Sequence, residues 1–317
     1  MKHLIIGGCG FIGSNLANYL VKKGEQVTVL DNLSRVGSEI NLKWLQKKGI
    51  KSIRADIVEQ DVFNPDEYDV VHLLAAQTAV THSMDNPRHD FNVNAIGVFN
   101  VLETIRKSEK KPRLIFASTN KVYGLLIAEE PVNEKTPLDF YTPYGCSKGI
   151  GDQYVRDYSR VFGLTTTILR QSCIYGDRQW GTEDQGWLAW FALRVLQEQP
   201  IIIFGNGKQV RDLLYIDDLV RLYSIIALSD KKKINGKIFN VGGGETNSRN
   251  LIEAIHEIEE KTNKKAIIEY QMERPGDQPY FVSDNTMVMS ELGWKPKISV
   301  DIGLKTLITW LMTIPTK

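Results

Sequence analysis

The sequence predicts an α/β fold: a doubly wound parallel sheet followed by a smaller, mixed C-terminal domain. Three observations carry this. Strand-like and helix-like patterns alternate through the first half. Glycines mark the first junction between strand and helix. The composition is that of a chain able to bury a large core: 317 residues, 42% hydrophobic and 24% charged, as in soluble globular proteins of one large or two modest domains. Lys and Arg number 39 against 38 Asp and Glu, a net charge of +1. That is no basic excess for holding nucleic acid through its phosphates. Cys9, Cys146 and Cys173 have no CxxC spacing and fit reduced thiols in the cytoplasm. No apolar run approaches the ~20 residues of a membrane span. Glycines interrupt the opening apolar run too early for a signal peptide.

Leu4-Ile5-Ile6 reads as a buried strand. Phe11 to Lys23 carries apolar residues at helical spacing (Phe11, Ile12, Leu16, Tyr19, Leu20). Gln26 to Leu30, Ile50 to Ile53, Val70 to Leu74 and Arg113 to Ala117 read as further strands. Helices are expected over Pro87 to Lys107 and over Thr142 to Phe162, the latter opened by Pro143. Leu164 to Leu169 is the sixth strand, with Ser172 and Cys173 at its end. Parallel strands need crossover helices, and right-handed crossovers give a doubly wound, Rossmann-like sheet. After Ser172 the rhythm loosens. The reading is a first domain over residues 1–172 and a second over 173–317. Asp217 to Leu228 (helix) and Lys237 to Val241 (strand) return to the first, which thus receives elements from about 213–241. Ser229 to Lys233 reads as a solvated lysine-rich loop.

Gly7, Gly10 and Gly13 sit between strand and helix with GxxGxxG spacing. Glycines let backbone approach a pyrophosphate, and the helix N-terminus supplies about half a positive charge. Asp31 follows ~20 residues on, where a carboxylate binds the ribose of a dinucleotide. It repels a 2′-phosphate, so NAD is favoured over NADP, although Arg35 nearby could hold such a phosphate. The expected cofactor path runs over Gly7, Gly10, Phe11, Ile12 and Gly13, then Asp31, Asn32, Ser34 and Arg35. It continues past Asp56 and Ile57, the small strand end Leu74-Ala75-Ala76, Ser118 and Ser172.

Tyr144 and Lys148 form a YxxxK pair on one helix face. A tyrosine titrates near ~10, and bringing it near neutrality takes ~4 kcal/mol of preferential anion stabilisation. The Lys148 ammonium and the positive nicotinamide of NAD would supply that, and both residues would touch the cofactor. Ser118-Thr119-Asn120 follows the fifth strand at the carboxyl end, where hydroxyls face the cofactor crevice. No His spacing suggests zinc. His82 and His89 could share a helix face, with His82 read as solvated. Trp187 and Trp190, one turn apart, read as one buried face.

GGCGFIG, STNKVYG and the YGCSK segment together resemble the extended short-chain dehydrogenase/reductase superfamily of nucleotide-sugar epimerases and dehydratases, over nearly the whole chain. Closer likeness is to the CDP-tyvelose (CDP-paratose) 2-epimerase group. It rests on DNLSR at Asp31 to Arg35, STNKVYG at Ser118 to Gly124, PYGCSKG at Pro143 to Gly149 and SCIYGDRQWGTEDQGW at Ser172 to Trp187, with GNGKQVRD at Gly205 to Asp212 adding to it. The connection from Tyr123 to Tyr144 is shorter than usual in that group. The resemblance implies Tyr144 as catalytic base, Lys148 as its partner and Thr119 as the catalytic hydroxyl, with NAD retained through the cycle. It implies a nucleotide-sugar substrate against Thr119, Asn120, Cys173 (a small lining residue), Gln185, Arg211 and Arg274, the arginines on its diphosphate. The activity implied is inversion of one carbinol carbon through a keto-sugar, at C2 of a CDP-dideoxyhexose. Alternatives are a UDP-hexose 4-epimerase, a 4,6-dehydratase or a non-catalytic NAD-binding module. Dehydratases of the family usually carry Asp-Glu after the catalytic hydroxyl, where this chain has Asn120-Lys121. No metal is expected. A homodimer or homotetramer is implied, paired through the helices near Pro87 to Lys107 and Thr142 to Phe162.

Overall fold

The computed structural model describes residues 1–126 and 129–314. The last three residues of the 173–317 part, and two in the Tyr123–Tyr144 connection, lie outside them. The first half alternates as β1 (Lys2–Ile6), α1 (Phe11–Lys22), β2 (Gln26–Asp31), α2 (Ser38–Gln46), β3 (Lys51–Arg54), β4 (Val70–Leu73), α3 (Val80–Asp85), α4 (Pro87–Phe91), α5 (Gly97–Lys107), β5 (Arg113–Thr119), α6 (Thr142–Phe162) and β6 (Thr166–Gln171). Then come β7 (Cys173–Tyr175), α7 (Trp187–Leu196), β8 (Pro200–Phe204), β9 (Val210–Tyr215), α8 (Ile216–Leu228), α9 (Lys231–Ile234), β10 (Lys237–Val241), β11 (Ser248–Asn250), α10 (Leu251–Thr262), β12 (Ile267–Gln271), β13 (Tyr280–Phe281), α11 (Thr286–Leu292) and α12 (Val300–Leu311).

Seven strands form one sheet in the order β10-β6-β5-β4-β1-β2-β3, every neighbour parallel. The order reverses between β1 and β4, and ligands bind in the crevice at such a point. Side chains alternate across the sheet. Leu4 and Ile6 of β1 join the layer of Val98, Leu102, Ile105 and Val155 from α5 and α6. Ile5 joins the opposite layer with Leu16 and Leu20 of α1 and Leu219 and Leu222 of α8. That second layer runs on into α7, α10 and α12 without a break. β10 adds to the sheet edge beside β6, as the sequence indicates.

Several elements differ from the sequence reading. The expected Pro87–Lys107 helix is α4 and α5 joined by a π-helical turn at Asn92–Ile96. There Asn94 exchanges two 3.0 Å hydrogen bonds with the backbone of Gln77. Helices α2 and α3 carry no strong periodicity and were not expected. In the expected lysine-rich loop, Asp230 caps the short α9 and Ile234 is buried. β6 stops at Gln171, and Cys173 opens β7 instead of ending β6. Here the chain leaves the sheet: the Ser172 amide still donates to Val241, and Cys173 pairs with Leu213 of β9. Among the described residues no helix is long and apolar enough to cross a membrane.

Candidate active site

The turn from β1 into α1 leaves no space for a side chain at Gly7 or Gly13. Gly7 has φ +82°, and a Cβ there would stand 2.5 Å from the Ala75 nitrogen. At Gly13 it would stand 2.3 Å from the Gly7 carbonyl oxygen. Gly10 is the N-cap of α1 and no side chain caps the helix. Its first-turn amides thus remain open to an anion. At the end of β2, Asp31 accepts from the amides of Cys9 (2.9 Å) and Leu33 (2.8 Å). Burial raises its pKa, against these bonds and the Arg35 charge. A cleft of about 390 Å³ runs along this edge. It is lined by Gly7, Gly10, Phe11, Ile12, Gly13, Asp31, Asn32, Ser34, Arg35, Asp56, Ile57, Leu74, Ala75 and Ala76. The close glycines, uncapped helix end and ribose-distance carboxylate fit NAD.

A second cavity, of about 310 Å³, is lined by Thr119, Asn120, Tyr144, Ser172, Cys173, Gln185, Arg211 and Arg274. Gln185 also lines the first cleft, where its Oε1 accepts from Arg35 at 2.5 Å. Tyr144 and Lys148 are both buried on α6. The Tyr144 amide is held by Ser83 Oγ at 3.1 Å, and its ring lines this cavity with Thr119, whose hydroxyl donates to Asn120 Oδ1 at 3.3 Å. Burial pushes the phenol up to about 12; Asp90 adds to this, while Thr119 and Arg35 oppose it. Lys148 does not offset that burial. Its ammonium donates to Ala117 O at 2.6 Å and stands 4.5 Å over the Phe116 ring. Burial brings it down to about 8, against the pull of Asp152 and Asp90. Among the protein's own groups, burial thus outweighs those that favour the tyrosinate.

The hydroxyl expected at the cofactor from Ser118 turns the other way. Neighbours on a strand face opposite sides, and Ser118 Oγ donates to buried Asp152 at 2.7 Å. Asp152 in turn holds Arg170 through two bonds of 2.8 and 2.9 Å. Ser172 reaches the second cavity with its hydroxyl on Asp212. Arg211 is buried and pairs with Asp277 at 2.6 Å. Arg274 lies 3.4 Å from Glu183 and 3.5 Å from Asp184, stacked on Phe204. The Cys173 thiol is pushed up by burial, which suits a lining residue and not a nucleophile. His82 is 67% exposed beside Asp184 and borders the dinucleotide cleft, not the second cavity. Trp187 and Trp190 are only half-buried. Trp187 lines the cavity, and Trp190 carries Arg194 over its ring. No group of metal-ligating side chains gathers among the described residues.

Sequence reasoning missed Lys121 and Asp277, both on the cavity wall. The only signal was a lysine inside the otherwise uncharged run STNKVYG. It also missed buried Asp90, which accepts from Gln77 and Asn94 at 3.0 Å and from Ser147, between Tyr144 and Lys148 on α6.

A glycine-lined cleft that shares Thr78, Gln179, Asp184 and Gln185 with a cavity holding Thr119, Tyr144, Arg211 and Arg274 is the arrangement of an extended short-chain dehydrogenase/reductase. Comparison with known proteins agrees. Residues 4–307 match the family described as GDP-mannose 4,6 dehydratase. CDP-paratose 2-epimerase of Salmonella typhi is 39% identical across 99% of this chain and 100% of its own. A putative UDP-glucose 4-epimerase of Methanocaldococcus jannaschii is 33% identical over 97% of each. The crystal structure of Thermus thermophilus UDP-glucose 4-epimerase in complex with NAD superposes with a TM-score of 0.90, at 31% identity over 99% of both chains. The chain belongs to this family of NAD-dependent nucleotide-sugar epimerases and dehydratases.

Proposed function

We propose that this chain is an NAD-dependent epimerase that inverts C2 of a CDP-linked dideoxyhexose of the paratose/tyvelose type. The observation that carries it is one cavity faced by Thr119, Tyr144, Arg211 and Arg274 and adjoining the glycine cleft. The full-length likeness to a CDP-paratose 2-epimerase supports the choice of sugar and carbon. NAD held in the glycine cleft would supply a positive charge that favours the tyrosinate and a reversible hydride acceptor, so that net redox change is zero. Tyr144 Oη removes the hydroxyl proton of the substrate and later returns it. Thr119 orients that oxygen, and Lys148, one helical turn on, would hold the nicotinamide ribose. Arg211 and Arg274 hold the diphosphate while the keto-sugar turns to present its other face. A 4,6-elimination needs an acid–base pair, and Asn120 and Lys121 offer no carboxyl group. We also propose a homodimer or homotetramer working in the cytoplasm, a reducing compartment that suits three free thiols.

A second reading, a UDP-hexose 4-epimerase, uses the same residues and is favoured by the two 4-epimerase likenesses. NMR of the products decides between them. Inversion at C2 of a CDP-dideoxyhexose, with no solvent deuterium at that carbon, is the expected result. Inversion at C4 of UDP-glucose, with the CDP-sugar untouched, rejects it. Tyr144→Phe is expected to retain NAD and to lose ~10²–10⁴-fold in turnover; unchanged turnover removes Tyr144 as the base.

A further inference from the structure

Lys121 follows Thr119 by two residues, in the 3₁₀ turn Asn120–Tyr123, and its amide donates to Thr119 Oγ1 at 3.2 Å. Its ammonium lies 3.3 Å from the Gly276 carbonyl and 3.8 Å from Oδ1 of Asp277. That same oxygen accepts from Arg211 at 2.6 Å. Two cations from separate elements therefore converge on one carboxylate oxygen, inside the cavity that also holds Thr119 and Tyr144. One carboxylate leaves this pair with excess positive charge, and Arg274 is engaged elsewhere, by Glu183 and Asp184. Fastening the Gly276 turn would need only a neutral donor. A charged group is costly to bury and is retained where an anion answers it. Burial and the Arg211 charge bring Lys121 down to about 8, and an arriving phosphoryl group would reverse that strain.

The position also bears on which carbon reacts. In a nucleotide-hexose the diphosphate hangs on C1. C2 is bonded to C1, and C4 lies across the ring. Lys121 and Thr119 line the same cavity, so a phosphate anchored at Lys121 favours reaction at a carbon close to C1.

We propose that Lys121 is a substrate-binding residue that, with Arg211, takes the sugar-side phosphoryl group, and that this anchor brings the carbinol beside C1 to Thr119 and Tyr144. This rests on the reading of the cavity as a nucleotide-sugar site. Calorimetry on the NAD-loaded protein tests it with CMP, CDP, UMP and UDP as probes. In Lys121→Gln the affinity for the nucleoside diphosphate should fall at least tenfold, while that for the monophosphate changes less than twofold. Lys121→Arg should recover most of the loss. If diphosphate and monophosphate weaken together, or neither changes, the anchor is rejected. Lys121→Met, which keeps the apolar stem, repeats the comparison should the Gln variant not fold. The ratio is read within each base. Preference for uridine over cytidine would overturn the CDP reading and leave the role of Lys121 to be decided by UDP against UMP.

Discussion

Gly13 and Gly10 share a motif yet carry different loads. A Cβ at Gly13 would meet the Gly7 oxygen at 2.3 Å and the Gly8 Cα at 2.7 Å, both backbone. At Gly10 the nearest atom stands 3.3 Å away. Gly13→Ala must push α1 off β1, at a cost of about 1–3 kcal/mol. Gly10→Ala puts its methyl at the phosphate end of the cleft with the helix still seated. The expected outcome is a lower melting temperature and weakened NAD binding for Gly13→Ala, and weakened NAD binding with nearly unchanged melting for Gly10→Ala. Thermal unfolding and NAD titration of both variants check this; equal melting would refute the division. At this scale the sequence is informative wherever residue type and local spacing define the chemistry, as for the glycines, Asp31, and the YxxxK pair. It fails where the third dimension decides. Ser118 and Thr119 are alike in sequence, but the strand turns one inward to Asp152 and the other to the cavity. Lys121 meets Asp277 from the far end of the chain.

Strands and helices with strong periodicity were legible as elements, and their junctions were not. The π turn before α5 follows from the buried bonds of Asn94, which hydrophobic spacing cannot report. Neighbouring strands also bring together groups that a linear reading separates. β1 and β4 place His3 Nδ1 3.0 Å from His72 Nε2, both rings buried and stacked at 5.3 Å. The edge of Tyr223 closes the other side of His72. Burial lowers the pKa of both rings. His3 further lowers that of His72, and Glu25 partly offsets the effect on His3. An unfolded histidine takes its proton near ~6.5, where the folded pair refuses it. Stability contributed by the pair is thus fully present above ~6.5. Below that it falls with pH, by about 1.4 kcal/mol per pH unit for each excluded proton. Buried carboxyls with raised pKa values, such as Asp90 and Asp212, act with the opposite sign, so the difference between variants is the useful quantity. Urea midpoints compared at pH 7 and pH 5.5 should fall less in His72→Gln than in the parent chain. Parallel pH dependences would show that the pair carries no linkage.

For the whole molecule, the alternation of strands and helices already dictates the sheet, its hand, and a crevice at the reversal of strand order. β10, one of the two elements the sequence offered as returning to the sheet, pairs with β6 at its edge. What periodicity leaves open is which helix face meets water. α5 buries Val98, Val101, Leu102 and Ile105 against the sheet, yet Ile96 and Phe99 look outward, the latter 39% exposed. On α6, Tyr154, Val161 and Phe162 are also exposed. Phe99 packs edge-on against Tyr154, and the ring series continues through Tyr158 to Phe162. A band of aromatic side chains along two adjacent helices is more than scattered surface apolarity, and such bands mark contact surfaces. A second copy of this chain is the expected cover, through a two-fold interface in which each band meets its equivalent. The same α6 carries Tyr144 and Lys148, so covering its outer face would steady the catalytic helix. Light scattering should give at least a dimer for the parent chain and a monomer for the Phe99→Glu, Tyr154→Glu double variant. Circular dichroism should show the variant still folded, since both side chains lie outside the buried layers. A monomeric parent chain would leave the aromatic band without the partner argued for it.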